Sequence, residues 1–167
     1  KINEVYILYS GSYLYKPNKN AIDYLINNVM PVLLKKHPKV KLVITGGGFK
    51  KKYPWLINKN IVPKKELYNL IYHSKCICVP LNFGSGTRIK IIEALSIGAI
   101  VISSLKGIEG IELNKKTPPY VLKNNNKFVS TIDYVIKNNK IIKKKSLKLK
   151  NYYLKKYSMR EITNNFL

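Results

Sequence analysis

The chain has 167 residues, 46% of them apolar, with 31 basic side chains against 8 acidic ones and a formal net charge of +23. That length suits one compact domain with a real core, and the apolar content excludes a disordered basic tail. A basic excess of this size points first to nucleic acid, a membrane surface or an anionic substrate.

Against nucleic acid, 29 of the 31 basic residues are lysine, whereas base and phosphate readers favour the arginine fork. The abundance of Asn and Ile also leaves open a compositional bias with no functional content. The charge is uneven: residues 1–75 carry 14 basic and 3 acidic side chains, 76–122 carry 5 and 3, and 123–167 carry 12 and 2. The nearly neutral middle is the part expected to be buried or to read a ligand. No apolar run approaches the roughly 18 residues of a spanning helix, and no signal-peptide pattern opens the chain. Lys1 reads as the start of an excised domain with an upstream segment missing.

In chain order, Val5–Tyr9 is a short apolar run ended by Ser10-Gly11-Ser12, a buried strand entering a loop. Asn20 to Lys36 carries a helical apolar stripe in which Pro31 predicts a kink or break. Lys41–Thr45 (KLVIT) is a second strand, stopped by Gly46-Gly47-Gly48. Asn60-Ile61-Val62 is the candidate third strand, Lys64 to His73 a helix and Cys76–Val79 a strand. The loop Pro80–Thr87 leads into a helix from Arg88 to Ile97, with Gly98 as its C-cap. Ala99–Ser103 and Tyr120–Leu122 complete the strands, and two or three helices finish the chain. Strands apolar throughout, alternating with amphipathic helices, predict an α/β domain with a doubly wound parallel sheet and helices on both faces.

Cys76 and Cys78 share one face of their strand. A bridge at that spacing is strained and a metal site needs more ligands, so buried free thiols in a reducing, cytoplasmic compartment are expected.

In such sheets ligands bind at the carboxyl ends of the strands. Gly84-Ser85-Gly86-Thr87 opens directly into a helix, whose unpaired amides and positive dipole end suit a phosphate or diphosphate; the alternative is a plain glycine-rich loop with Thr87 as N-cap. Arg88, a cation where the dipole disfavours one, is better explained by an anionic ligand, with Lys90 a second charge. Both also read as solvated surface. Glu93 stands alone among Ile89, Ile91, Ile92, Ala94 and Leu95. It could bind two sugar hydroxyls, or pair with Lys90 at i,i+3. The triple glycine at 46–48 is neither a P-loop nor a dinucleotide fingerprint. His37 and His73 have no partner at useful spacing, Asp23 and Asp133 form no metal motif, and no nucleophile–base pair stands out. The tyrosines fall in apolar stripes, as core residues rather than stacking platforms.

The stretch PLNFGSGTRIKIIEALSIGAIVISSLKGIEG, Pro80–Gly110, resembles the donor-binding signature of the GT-B glycosyltransferases of family 4, also called glycosyl transferases group 1. Gly11–Asn18 resembles the G-x-x-x-x-x-P-N opening of one subgroup, Leu42–Gly46 its L-x-I-x-G strand, and Tyr157-Ser158-Met159 its Tyr-Ser-Trp. The resemblance implies a Rossmann-like C-terminal half of a two-domain enzyme that binds a nucleotide-diphospho-sugar, a UDP-sugar among the candidates, and that retains configuration with no metal or other cofactor.

In that reading, residues 1–167 are one nucleotide-sugar-binding domain whose acceptor glycan, lipid or protein is held by an absent N-terminal domain. Glu93 would hold ribose hydroxyls. The diphosphate would meet Gly84, Ser85, Gly86, Thr87, Arg88 and Lys90, with Gly11, Ser12, Gly46 and Gly47 nearby and Val62 beside the base. Arg88 and Lys90 would stabilise the departing diphosphate.

The chain departs from the family pattern at three points. Ser85 replaces the first Glu of Glu-x7-Glu, Ser12 replaces an arginine for which Lys16 is only a candidate substitute, and Ala99-Ile100 replaces x-Pro. Peripheral contact with an anionic membrane, through Lys50–Lys52 beside the cleft, accompanies the enzyme reading. The alternatives are a non-enzymatic basic module for nucleic acid or anionic membrane, and a nucleotide-binding regulatory domain.

Overall fold

The computed structural model describes residues 2–84, 88–114 and 119–157. Six parallel strands form one sheet: β1 Tyr6–Ser10, β2 Lys41–Thr45, β3 Leu56–Asn58, β4 Ile77–Val79, β5 Val101–Ser104 and β6 Tyr120–Leu122. Their spatial order is β3-β2-β1-β4-β5-β6. Tyr6 to Ser10 pair in register with Lys41 to Thr45, and Leu8 pairs with Ile77. The central strands are buried along almost their whole length, as a parallel sheet covered on both faces requires.

The helices are α1 Lys16–Tyr24, α2 Met30–Lys36, α3 Lys64–His73, α4 Ile89–Ile97, α5 Phe128–Lys137 and α6 Asn139–Lys156. Helices α2 and α5 pack together over one face, while α3, α4 and α6 cover the other. Between α1 and α2 the chain continues as a π-helical turn, Leu25–Val29, in which the Met30 amide bonds Leu25 O. Pro31 has no amide to offer Asn27, and its ring crowds that carbonyl, so the extra residue in the turn is how the helix passes the proline.

Gly98, at φ +76°, ends α4 with Ala99 N bonding Ala94 O and Gly98 N bonding Leu95 O, the paired bonds of a Schellman cap. Leu147 of α6 lies against it.

The third strand differs from the expectation: it is Leu56–Asn58, and Asn60-Ile61-Val62 is loop. Asn60 adopts a left-handed φ of +50°, with its amide bonded to Asn58 Oδ1, which stops the strand two residues before the apolar pair. Cys76 and Cys78 are buried free thiols with their sulfurs 3.7 Å apart, and that mutual bond together with burial pushes the Cys78 thiol up.

His37 also differs, since the fold supplies the partner that its sequence neighbourhood lacks. Its Nε2 lies 2.8 Å from Asp133 Oδ1, and Lys36 and Lys137 flank that carboxylate, tying the end of α2 to α5.

Candidate functional site

The strand order reverses between β1 and β4: one half of the sheet winds outward through β2 and β3, the other through β5 and β6. The loops leaving these two strands therefore part and open a crevice at their carboxyl ends. A cleft of about 260 Å³ lies there, walled by Ser10, Gly11, Asn18, Arg88, Ile89 and Lys90 together with Tyr15, Pro17 and Leu81. Among the described residues, two cations line it and no carboxylate does. A second cleft, about 400 Å³, adjoins it through Leu81 and runs past Ser104 and Lys106 to Lys123.

The loops after β1 and β2 are woven together. Gly11 N bonds Thr45 O at 2.9 Å, Tyr13 N bonds Gly47 O at 3.0 Å and Gly46 N bonds Asn60 O at 2.7 Å. The Gly11 and Gly46 amides are thus held internally, and what these glycines contribute is close passage. A Cβ on Gly46, at φ +116°, would lie 2.7 Å from both Gly11 O and Ser12 N. Ser12 meets Asn18 through its carbonyl and Leu14 N through its hydroxyl. Beside Gly47 stands Ile61, with Val62 half-buried next to it. Lys50–Lys52 are exposed on the same loop, just beyond Phe49, whose ring meets Tyr13 edge-on.

Arg88 occupies the N-cap position of α4 and is only 7% exposed. Its Nε donates to Lys106 O at 3.2 Å and its Nη2 to Gly84 O at 2.9 Å, and Nη2 lies 3.6 Å from Glu109. The guanidinium thus clamps the loop after β4 to the loop after β5, with its charge inside the cleft wall. Gly84, at φ +118°, presses against Pro17. Ser85, Gly86 and Thr87 lie outside the described residues.

Lys90 extends from the first turn of α4 beneath Gly11. Its Nζ donates to Asn18 Oδ1 at 2.8 Å and to Tyr9 Oη at 3.3 Å, and sits 4.7 Å from the Tyr9 ring centroid. Burial, helped by the Arg88 charge, lowers this ammonium to about 8. Burial raises the Tyr9 hydroxyl, which stays a neutral donor to Asn18 Oδ1 at 2.7 Å. Asn18 Nδ2 meanwhile holds Ser12 O at 3.0 Å. A half-buried positive charge among neutral partners is complementary to an anion entering the cleft.

Glu93 stands one turn further along α4 and does not pair with Lys90. Its Oε1 accepts from Tyr68 Oη at 3.1 Å and lies 3.9 Å from Lys64 Nζ. It faces α3, with its side chain 25% exposed. Among the described residues no group of three His, Cys, Asp or Glu could hold a metal ion.

The rim carries large exposed apolar side chains: Leu14, Tyr15, Ile61, Phe83, Ile89 and Leu105 all stand on loops at the carboxyl edge of the sheet or at the start of α4. Leu14 and Ile61 are 83% and 82% exposed.

The family model of glycosyl transferases group 1 matches residues 4–138, most of the chain and every strand. The chain belongs to this family. Its fold is the Rossmann-like half of a GT-B glycosyltransferase, as solved structures bear out. The C-terminal domain of a glycosyl transferase group 1 protein (LpcC) from Francisella tularensis superposes with a TM-score of 0.72 at 15% identity, over 93% of this chain and 87% of that one. A point mutant of S. aureus TarM, solved with fondaparinux, alpha-GlcNAc-glycerol and UDP, gives 0.76 at 18% identity over 98% of this chain and 34% of TarM. A curated Klebsiella pneumoniae relative, an uncharacterized 44.6 kDa protein in the cps region, is 27% identical over 120 residues. The match covers 65% of this chain and 31% of that relative, about a third of its length.

Of the residues singled out in the sequence, Gly11, Arg88 and Lys90 meet at one cleft. Gly46, Gly47 and Val62 support its far loop, and Glu93 stands apart. Sequence reasoning missed Asn18, Tyr9 and Tyr68. Asn18 ends the stretch that resembles the subgroup's P-N opening, which is the one signal that could have found it. Nothing local marks Tyr9, a strand residue among apolar neighbours, or ties Tyr68 to a carboxylate 25 positions later.

Proposed function

We propose that this chain is the donor-binding half of a glycosyltransferase and binds a nucleoside diphospho-sugar with its diphosphate in the cleft between β1 and β4. One observation carries this reading: two cations, the buried Arg88 and the half-buried Lys90, line a cleft whose described walls hold no carboxylate, beside the start of α4, at the point where the strand order reverses. As the sugar departs, negative charge grows on the diphosphate, and fixed cations stabilise it without reorganising. The transfer retains configuration and needs no metal ion. Glu93, with Oε1 occupied by Tyr68, offers Oε2 to a ribose hydroxyl between α3 and α4. The exposed apolar rim is covered by a second domain that brings the acceptor, since patches of this kind on loops around a site mark an interface.

UDP is the first ligand to test, being the nucleotide in the TarM complex. Titration calorimetry is expected to show UDP binding that survives EDTA, with Arg88→Ala and Glu93→Ala each weakening it at least about tenfold, or roughly 1.4 kcal/mol. Unchanged affinity in both variants would sink this site assignment.

A further inference from the structure

Helix α6 is built unlike the others. Eight of its eighteen residues are lysine and none is acidic, whereas the other 149 residues of the chain hold 21 lysines. A compositional habit would spread lysine over every exposed helix face. Helices α1, α2 and α3 carry only two lysines each, and α5 uses Ser130, Tyr134 and a single Lys137 on its exposed positions.

The inner side of α6 is set by Ile142, Ser146, Leu149 and Tyr153, with Ser146 Oγ bonded to Ala99 O at 2.8 Å. At 100° per residue the opposite side is centred on Lys140, Lys144, Lys148, Asn151 and Lys155, all exposed. Among the described residues no carboxylate forms an ion pair with any of these four lysines; the helix's one such pair is Lys156 with Glu112.

Apolar side chains border this basic strip. Ile141 is 62% exposed along one edge, and Leu154 and Leu147 are exposed along the other. Tyr72 at the end of α3 extends that second edge, its carbonyl accepting from Lys143. Lysines interleaved with exposed aliphatic and aromatic side chains suit the headgroup region of a bilayer, where ammonium groups meet anionic lipid and apolar tips enter the acyl boundary. A polyphosphate backbone would use the lysines and leave Ile141 and Leu154 in water. The α6 end at Tyr157 is bonded to Glu112, near the carboxyl edge of the sheet, and its start at Asn139 is bonded to Lys75 at the opposite edge. Contact through this side leaves the cleft open along the membrane plane.

We propose that the outer face of α6, centred on Lys140, Lys144, Lys148 and Lys155 and edged by Ile141 and Leu154, docks the protein on an anionic lipid bilayer. This places the contact on α6 and not on the Lys50–Lys52 loop, and it stands independently of what the cleft binds.

The test is co-sedimentation of the 167-residue chain with phosphatidylcholine vesicles, with and without phosphatidylglycerol. Binding is expected only to the anionic vesicles. Lys140→Gln, Lys144→Gln, Lys148→Gln and Lys155→Gln combined are expected to lower the partition coefficient at least about a hundredfold, from about fivefold per lysine near the surface. A control of equal charge, with Lys35, Lys50, Lys51 and Lys52 all changed to Gln, is expected to lose less than about tenfold, since it alters only the overall field. Ile141→Ser with Leu154→Ser is expected to abolish the binding that persists at high salt. These positions are exposed, and an unchanged melting temperature verifies the fold. The proposal is overturned by no binding to anionic vesicles, by equal losses in the two charge-matched variants, or by duplex RNA stripping the native chain from the vesicles.

Discussion

The ammonium of Lys90 sits where a charge is costly. Burial lowers it to about 8 from an ordinary 10.5, so over that interval the unfolded chain holds a proton that the folded chain gives up. Its contribution to stability therefore rises with pH through that window, and below it the folded protein carries an unfavourable buried charge. Lys90→Met is expected to raise the free energy of unfolding in urea at pH 7 by up to about 3 kcal/mol, with the gain shrinking as pH rises from about 8 to 10.5. The same substitution is expected to cost at least about tenfold in UDP affinity. In the native chain that affinity falls as pH passes upward through the Lys90 range, because the neutral amine no longer meets the anion. Asn18→Asp would set a carboxylate against the same ammonium. It is expected to abolish UDP binding while raising the Lys90 value, which a flattened pH dependence of stability reads out. A Lys90→Met chain no more stable than the native one at pH 7 would remove the buried-charge account.

At the scale of elements, the cleft depends on how closely two loops pass. The loops after β1 and β2 exchange backbone bonds through Gly11, Tyr13, Gly46 and Asn60, and Gly46, at its positive φ, has no room for a side chain. Gly46→Ala combines backbone strain with a clash against immovable backbone. It is expected to cost at least about 2 kcal/mol in urea unfolding and to weaken UDP binding by moving Gly11 off Lys90. A variant as stable as the native protein would show that the loops can part without loss. The helices were legible as elements because their apolar stripes, their start at α4 and the Gly98 cap are local signals. The third strand was misplaced because Ile61 and Val62 look like a strand, whereas the chain turns at Asn60 and pairs Leu56–Asn58 with Leu42–Ile44. That choice is made by the neighbouring strand and not by the run itself.

Over the whole molecule, 31 basic side chains face 8 acidic ones, and most of the ion pairs lie at the surface. Such pairs contribute little, so the net electrostatic effect on folding is self-repulsion. Raising sodium chloride from low to physiological concentration is expected to raise the melting temperature, as screening shortens the range of that repulsion to roughly 8 Å. The same salt is expected to weaken UDP and vesicle binding. A melting temperature that fell with salt would mean that attractive pairs dominate.

The alternation of buried strands and amphipathic helices, the nearly neutral segment with its glycine-rich turn, and the motif from Pro80 to Gly110 were readable from the residues alone. Each depends on neighbours within a few positions, where period and turn chemistry act. The partners of the key groups were not readable. Asn18 meets Lys90 across 72 positions, Arg88 meets Lys106 across 18, and His37 meets Asp133 across 96. Only the crossing of β1 beside β4 brings Asn18 and Lys90 together, and burial in that crevice lowers the Lys90 ammonium. The sequence states how many lysines there are; packing decides which one lies beneath Gly11 and which ones line the outer side of α6.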